Sequence, residues 1–223
     1  DRSDKVLPRV NQLAAGLLGA YVALTIACMA TYVMLGMGAF DAINHAMTTV
    51  ATGGFSTHDA SMGYFESDAI LIAATVFMIL GALPFVIYIR AFLPRRFQRW
   101  RDPQIPVFLV ICAVLSLTLA ASRRTINDTP FGEALISSTF NLVSVITTTG
   151  YASEDYTLWS NAAIGIFFTA MFIGGCAGST SGGVKANRLV ILYLLVRASL
   201  HRLVRPHAVQ RLRYGNQVIS TDV

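Results

Sequence analysis

Apolar and polar residues fall in long blocks along this chain rather than on alternating faces. From Gln12 to Met37 it is almost uncharged. Roughly 20 apolar residues cross a hydrocarbon core as a helix, so this block predicts a membrane span. Gly16, Gly19 and Ala20 give it a small-residue face for close packing. Phe40 to Ala51 is too short to span and predicts a re-entrant half-helix. A second span is predicted over Ala69–Ile89 with a kink at Gly81 and Pro84, where an intrahelical N–H is lost. A third covers Ile105–Ala121. Pro130 then opens a second short helix, Phe131–Ile146, with Glu133 in its first turn. Asn161–Ile173 begins a fourth span, which breaks at Gly174–Gly183 and resumes from Lys185 to Leu200. Each Gly costs a helix about 1 kcal/mol relative to Ala. Non-helical backbone at membrane depth survives only inside protein or against water. The order is span, half-helix, Gly turn, span, and then the same again.

The polar blocks give the sidedness. Asp1–Val10 (Arg2, Lys5, Arg9), Arg90–Arg101 and the C-terminal stretch from Arg197 to Arg213 are basic and predict cytoplasmic segments. Thr57–Asp68 carries Asp59, Glu66 and Asp68 without Lys or Arg and predicts an external mouth. Ser122–Thr129 is then an external loop, with Arg123 and Arg124 as exceptions to the charge rule. The composition agrees: 54% hydrophobic and 13% charged, where soluble domains are about a quarter charged. The net charge of +5 follows from these loops and gives no reason to expect nucleic acid. Cys28, Cys112 and Cys176 each sit in an apolar run and predict free, buried thiols. The spans are almost empty of Asp, Glu and His, which leaves no convergent set for a membrane enzyme. The chain starts at Asp1 rather than Met and reads as an internal piece of a longer polypeptide.

Thr52-Gly53-Gly54-Phe55-Ser56-Thr57 and Thr148-Thr149-Gly150-Tyr151-Ala152-Ser153 each follow a short helix. Their common interval is 96 positions, from Gly54 to Gly150. A backbone that aims successive carbonyls to one side of a narrow pore wants Gly at its tightest point. Carbonyl rings of this kind replace the water around K⁺. The bland alternative is a Gly turn between two helices. Asp41 favours the positive end of the first half-helix, whose negative end then faces the turn. His45, a lone His on a short helix, reads as a packed or solvent-facing residue rather than a ligand and is assigned no role. The Gly174–Gly183 break has three readings. A phosphate loop fails because Val184 stands where Lys is required. Small-residue packing is the second. The third is a flexible loop beneath the second turn that gates a pore, with hydroxyls at Ser179, Thr180 and Ser181 and with Lys185 nearby.

Ala51–Ser61, Thr147–Tyr151 and Gly174–Lys185 together resemble the Trk/Ktr/HKT potassium transporters, most closely the bacterial Trk uptake subunits. The resemblance implies four span–half-helix–span repeats around one pore, of which this chain matches the second and third. It implies K⁺ coordination at filter residues Ala51, Thr52, Gly53, Gly54, Thr147, Thr148, Thr149 and Gly150. It implies a gating loop at Gly174, Gly175, Gly178, Ser179, Thr180, Gly182, Gly183 and Lys185. It also implies a homodimer and a cytoplasmic nucleotide-binding regulatory subunit.

The expectation is therefore an all-α integral membrane chain in the bacterial inner membrane, with two tandem repeats of a channel-like fold. Residues 1–103 form one repeat, 104–205 the next with its loop at 174–183, and 206–223 a tail or linker. Its surroundings are lipid, it transports K⁺ and it uses no cofactor. Two rivals stay open: a pore-less structural subunit, and a two-repeat chain that dimerises to complete the pore.

Overall fold

The computed structural model describes residues 3–91, 102–204, 212–214 and 217–219. It contains α1 (Ser3–Met34), α2 (Ala39–Val50), α3 (Asp68–Ala82), α4 (Val86–Ala91), α5 (Gln104–Asn127), α6 (Phe131–Ile146), α7 (Asn161–Ala170) and α8 (Ala186–Val204). A short antiparallel hairpin follows, β1 (Leu212–Tyr214) and β2 (Gln217–Ile219), with Leu212 opposite Ile219 and Tyr214 opposite Gln217.

Among the described residues, two helical stretches, Asn11–Met34 and Gln104–Asn127, are long and apolar enough to cross a membrane; α3, α6 and α7 are apolar but shorter. The half-helices fall where the blocks placed them. The predicted second span is two helices: α3 stops at Ala82, and Leu83 turns extended ahead of Pro84. The third runs past Ala121 to Asn127, so Arg123 and Arg124 lie on a helix rather than in a loop. Arg123 is buried on that helix, and its guanidinium is paired as described below. The predicted tail contains the β-hairpin, an addition to the all-α expectation. Its strands have three residues each, too few for a pattern to show, although Gly215-Asn216 between them is a two-residue hairpin sequence. Most of the basic segments at 90–101 and 205–211 lie outside the described residues.

α2 packs on α1 and α3, α6 packs on α5, and α3 meets α6 across the two halves. One core runs through all of them and includes Tyr32, Val50, Met78, Phe108, Phe140 and Tyr151. Around it, large apolar side chains such as Leu18, Val110, Phe168 and Leu192 point outward from α1, α5, α7 and α8. That outer face suits lipid rather than water. On α1, Gly16 lies against Ile89 of α4 and Ala20 is buried, whereas Gly19 faces open space among the described residues. The three thiols are free and buried.

Candidate functional site

α2 and α6 end in the same turn. After α2, the N–H groups of Ala51, Thr52 and Gly53 donate to Met47 O (3.0 Å), Thr49 O (3.1 Å) and Thr48 O (2.8 Å). After α6, Thr147, Thr148 and Thr149 donate to Val143 O (2.8 Å), Val145 O (3.0 Å) and Ser144 O (2.9 Å), at the same 96-residue interval. The crossed bonds define a Schellman end, whose left-handed residue is usually Gly. Here it is Thr52 (φ 51°) in one copy and Thr148 (φ 58°) in the other. A β-branched residue in that region is a true outlier and costs about 1–2 kcal/mol. The sequence reading placed positive φ on glycines alone and missed this. Gly54 (φ 67°) and Gly150 (φ 88°) do adopt it as expected.

Side chains fix the next residues in both copies. Thr48 Oγ1 donates to Phe55 O (2.8 Å), and Ser144 Oγ donates to Tyr151 O (2.7 Å). His45 is fully buried, with Nδ1 at 2.8 Å from Asp41 O and Nε2 at 2.9 Å from Ser56 Oγ. Its counterpart Asn141 donates to Ser153 Oγ (2.7 Å) and accepts from Ser153 N (3.2 Å). His45 therefore ties the first turn to its helix. The signal was available: positions 45 and 141 share the repeat interval and carry His and Asn, both two-ended hydrogen-bonding groups.

The two turns touch. A Cβ on Gly54 would lie 1.9 Å from Thr149 O, so only Gly fits there. Tyr151 is 1% exposed and enters the first half, donating to His45 O (3.1 Å) beside the hydroxyls of Thr48 and Thr49. Tyr32 of α1 reaches Thr49 Oγ1 (2.9 Å) from the other side. Phe55, the counterpart of Tyr151, is 76% exposed.

Polar clusters brace the turns on the side facing away from the glycine-rich break. Thr57 Oγ1 donates to Asp41 Oδ1 (2.7 Å), and this bond, followed by His58, holds the Asp41 carboxyl below its ordinary value. His58 stacks on Tyr64 with ring centroids 3.5 Å apart. In the second half Arg123 is buried; its guanidinium grips Glu154 at 2.7 and 3.2 Å, contacts Ser137 Oγ and lies 4.2 Å over the Trp159 ring. Thr157 similarly keeps the Asp155 carboxyl low.

The glycine-rich segment is held rather than floppy. A parallel bridge between Ile173 and Val184 closes its base, and Gly174 packs so tightly that an added Cβ would meet Gly182 O at 2.2 Å. The break in α3 receives it. Ending the helix at Pro84 leaves carbonyls without helical partners. Gly81 O accepts from Thr180 N (3.3 Å), and Ala82 O accepts from Cys176 N (2.9 Å). In return Phe85 N donates to Gly178 O (2.9 Å). Thr180 Oγ1 also reaches Val50 O (2.9 Å) at the end of α2, and Gly182 N donates to Thr148 Oγ1 (2.6 Å). The segment thus touches both turns. Within it, Ser179 Oγ donates to Cys176 O (2.6 Å), and the Lys185 amine folds back onto the Ser181 carbonyl.

The predicted filter and gating residues therefore form one contiguous cluster. The TrkH family profile, described as cation transport protein, matches residues 1–223. The chain is 43% identical over 226 residues to the Trk system potassium uptake protein TrkI of Halomonas elongata, covering 100% of this chain and 45% of that protein. It is 34% identical over 233 residues to the Trk system potassium uptake protein TrkH of Escherichia coli K12, with 100% and 46% covered. Its fold matches the crystal structure of the potassium transporter TrkH from Vibrio parahaemolyticus with a TM-score of 0.89 and 37% identity, over 95% of this chain and 46% of that one. These likenesses define the class, membrane-embedded cation transporters. Within that class the chain belongs to the TrkH family. It spans about half the length of the curated relatives it matches.

Proposed function

We propose that this chain is the central half of a multi-pass potassium-uptake transporter of the bacterial inner membrane. Ala51–Gly54 and Thr147–Gly150 line its filter, and 174–183 is its gate. Residues 1–103 and 104–205 are the second and third of four repeats. The observation that carries this is the duplicated Schellman end with its strained Thr. Two helices direct their negative ends and unwound backbone at adjoining turns, which favours a bare cation. Uptake follows the membrane potential, which supplies about 2.3 kcal/mol per elementary charge at 100 mV.

The turn pair has two open sides. Gly54 is closed by Thr149, whereas Gly150 has no atom within 4 Å of an added Cβ. Tyr151 is seated, and Phe55 is not. Two further turn-bearing units would close the ring, supplied by the rest of a longer chain or by a second copy. The mass of the native polypeptide separates those sources. A homodimer of the complete transporter and a cytoplasmic nucleotide-binding regulatory subunit complete the proposal.

Radioactive Rb⁺ flux through the full-length protein tests it. Gly54→Ser and Gly150→Ser lower flux or lose K⁺ over Na⁺ preference, and deletion of Gly175–Ser181 raises conductance. Unchanged flux and selectivity in both glycine variants would refute the filter, and unchanged conductance in the deletion would refute the gate.

A further inference from the structure

Gln104 opens α5 at the edge of the basic segment, and its side chain is 4% exposed. Its Oε1 accepts from Ala177 N (2.8 Å), in the middle of the glycine-rich segment. Its Nε2 donates to Asp102 Oδ2 (2.7 Å). Asp102 Oδ1 in turn accepts from Gln104 N (3.2 Å) and from the Tyr214 hydroxyl (3.1 Å) on β1. An unbroken line of hydrogen bonds thus joins the β-hairpin to the segment beneath the two turns.

The line has only one chemical polarity. A backbone N–H needs an acceptor at one end of residue 104, and a carboxylate needs a donor at the other, and of the side chains of this length only the Gln amide supplies both. Glu would set two carboxylates together and leave Asp102 Oδ2 without its donor. Burial, then the Asp102 carboxylate, pushes the Tyr214 phenol up, so it stays protonated and keeps donating. Sequence reading gave no hint of this: the four residues lie on three segments far apart in the chain, and of them only Ala177 belongs to a motif.

We propose that Gln104 is a positioning residue that latches the loop 174–183 in its blocking place, and that Asp102 and Tyr214 make the latch answer to the cytoplasmic hairpin. The proposal rests on the reading of that loop as the gate and names its control. Anything that docks on or displaces the hairpin removes the Tyr214 hydroxyl from Asp102, frees the Gln104 amide to turn, and releases Ala177. The loop reports its own state, because Cys176 adjoins Ala177 and is fully buried while the latch is closed.

The test uses full-length protein in proteoliposomes, with Cys176 as its sole cysteine. Labelling by a membrane-impermeant maleimide and Rb⁺ flux are read on the same preparations. Gln104→Ala and Gln104→Glu speed Cys176 labelling about two- to tenfold, the range expected for one lost buried hydrogen bond. Flux rises with them, and K⁺ over Na⁺ preference is unchanged. Tyr214→Phe, which removes one hydroxyl and leaves the fold intact, moves both readouts in the same direction by less. Wild-type labelling in the Gln104 variants overturns the latch, and wild-type labelling in Tyr214→Phe overturns the link to the hairpin. Faster labelling with unchanged flux sustains the latch and sinks the gate reading instead, so the two failures are distinct.

Discussion

Gly53 and Gly54 are neighbours of identical composition, and the structure asks different things of them. At Gly54 φ is +67°, and an added methyl would sit 1.9 Å from Thr149 O and 2.8 Å from its carbonyl carbon. Both atoms are backbone and cannot rotate away. Left-handed strain of about 1–2 kcal/mol and an overpacking cost of about 1–3 kcal/mol together give Gly54→Ala a penalty of roughly 2–5 kcal/mol. At Gly53 the same methyl meets the Phe55 ring at 3.5 Å, ordinary contact, and φ is not positive. Gly53→Ala therefore stays within about 1 kcal/mol of wild type, helped by the lower entropy of its unfolded chain. Thermal unfolding of the purified protein in detergent reads the contrast. At about 2–4 °C per kcal/mol for a chain of this size, Gly54→Ala lowers the midpoint by about 4–20 °C and Gly53→Ala by only a few degrees. Because the clash pushes Thr149 O out of place, Gly54→Ala also loses K⁺ over Na⁺ discrimination in the flux assay. Equal damage from both substitutions, or a Gly54→Ala protein that melts and selects like wild type, would show that the two turns do not meet as described.

Three further outcomes follow from the same contacts. Tyr151→Phe keeps the ring but loses its hydroxyl bond to His45 O, which costs about 0.5–1.5 kcal/mol in thermal unfolding, whereas Phe55→Ala, at an exposed ring, is near neutral in the isolated 223-residue chain. Arg123→Ala strips the buried partner from Glu154 and Trp159 and costs about 2–4 kcal/mol; Arg123→Lys, which cannot make the paired contact, recovers only part of it in the same melt. For Asp41, whose folded pKa is lowered chiefly by the Thr57 hydroxyl, the stabilisation is present above the ordinary carboxylate range and is lost as pH falls through the folded value. Thr57→Val therefore melts below wild type at neutral pH, and the gap closes in acid; a gap that is constant from neutral to acid pH would remove Asp41 from the account.

The helices were legible because their apolar runs are long and their interruptions are chemically blunt. Pro84 marked the break in α3, and Gly174–Gly183 marked the break between α7 and α8. What could not be read was that these two breaks answer one another, since the match is between backbone groups and leaves no side-chain pattern. The strained conformation of Thr52 and Thr148 was hidden for a related reason: local preference points to Gly there, and tertiary contact overrides it. Arg123 looked like an exception to the charge rule because its partners, Glu154 and Trp159, lie far along the chain. His45 was discounted as a lone histidine, although comparison with Asn141 at the repeat interval would have exposed its role.

The mutual satisfaction of the α3 break and the loop has an energetic corollary. Swinging the loop aside parts Cys176 from Ala82, Thr180 from Gly81 and Val50, Gly178 from Phe85, and Gly182 from Thr148. Where no solvent enters, each stranded donor or acceptor costs about 1–3 kcal/mol, and the sum is far beyond a thermal fluctuation. Where solvent does enter, most of that cost is recovered, because water takes over the orphaned groups. In the proposed gate, movement of the loop and entry of water are thus one event, and osmotic stress or bulky solutes that withhold water should slow it as surely as a mutation would.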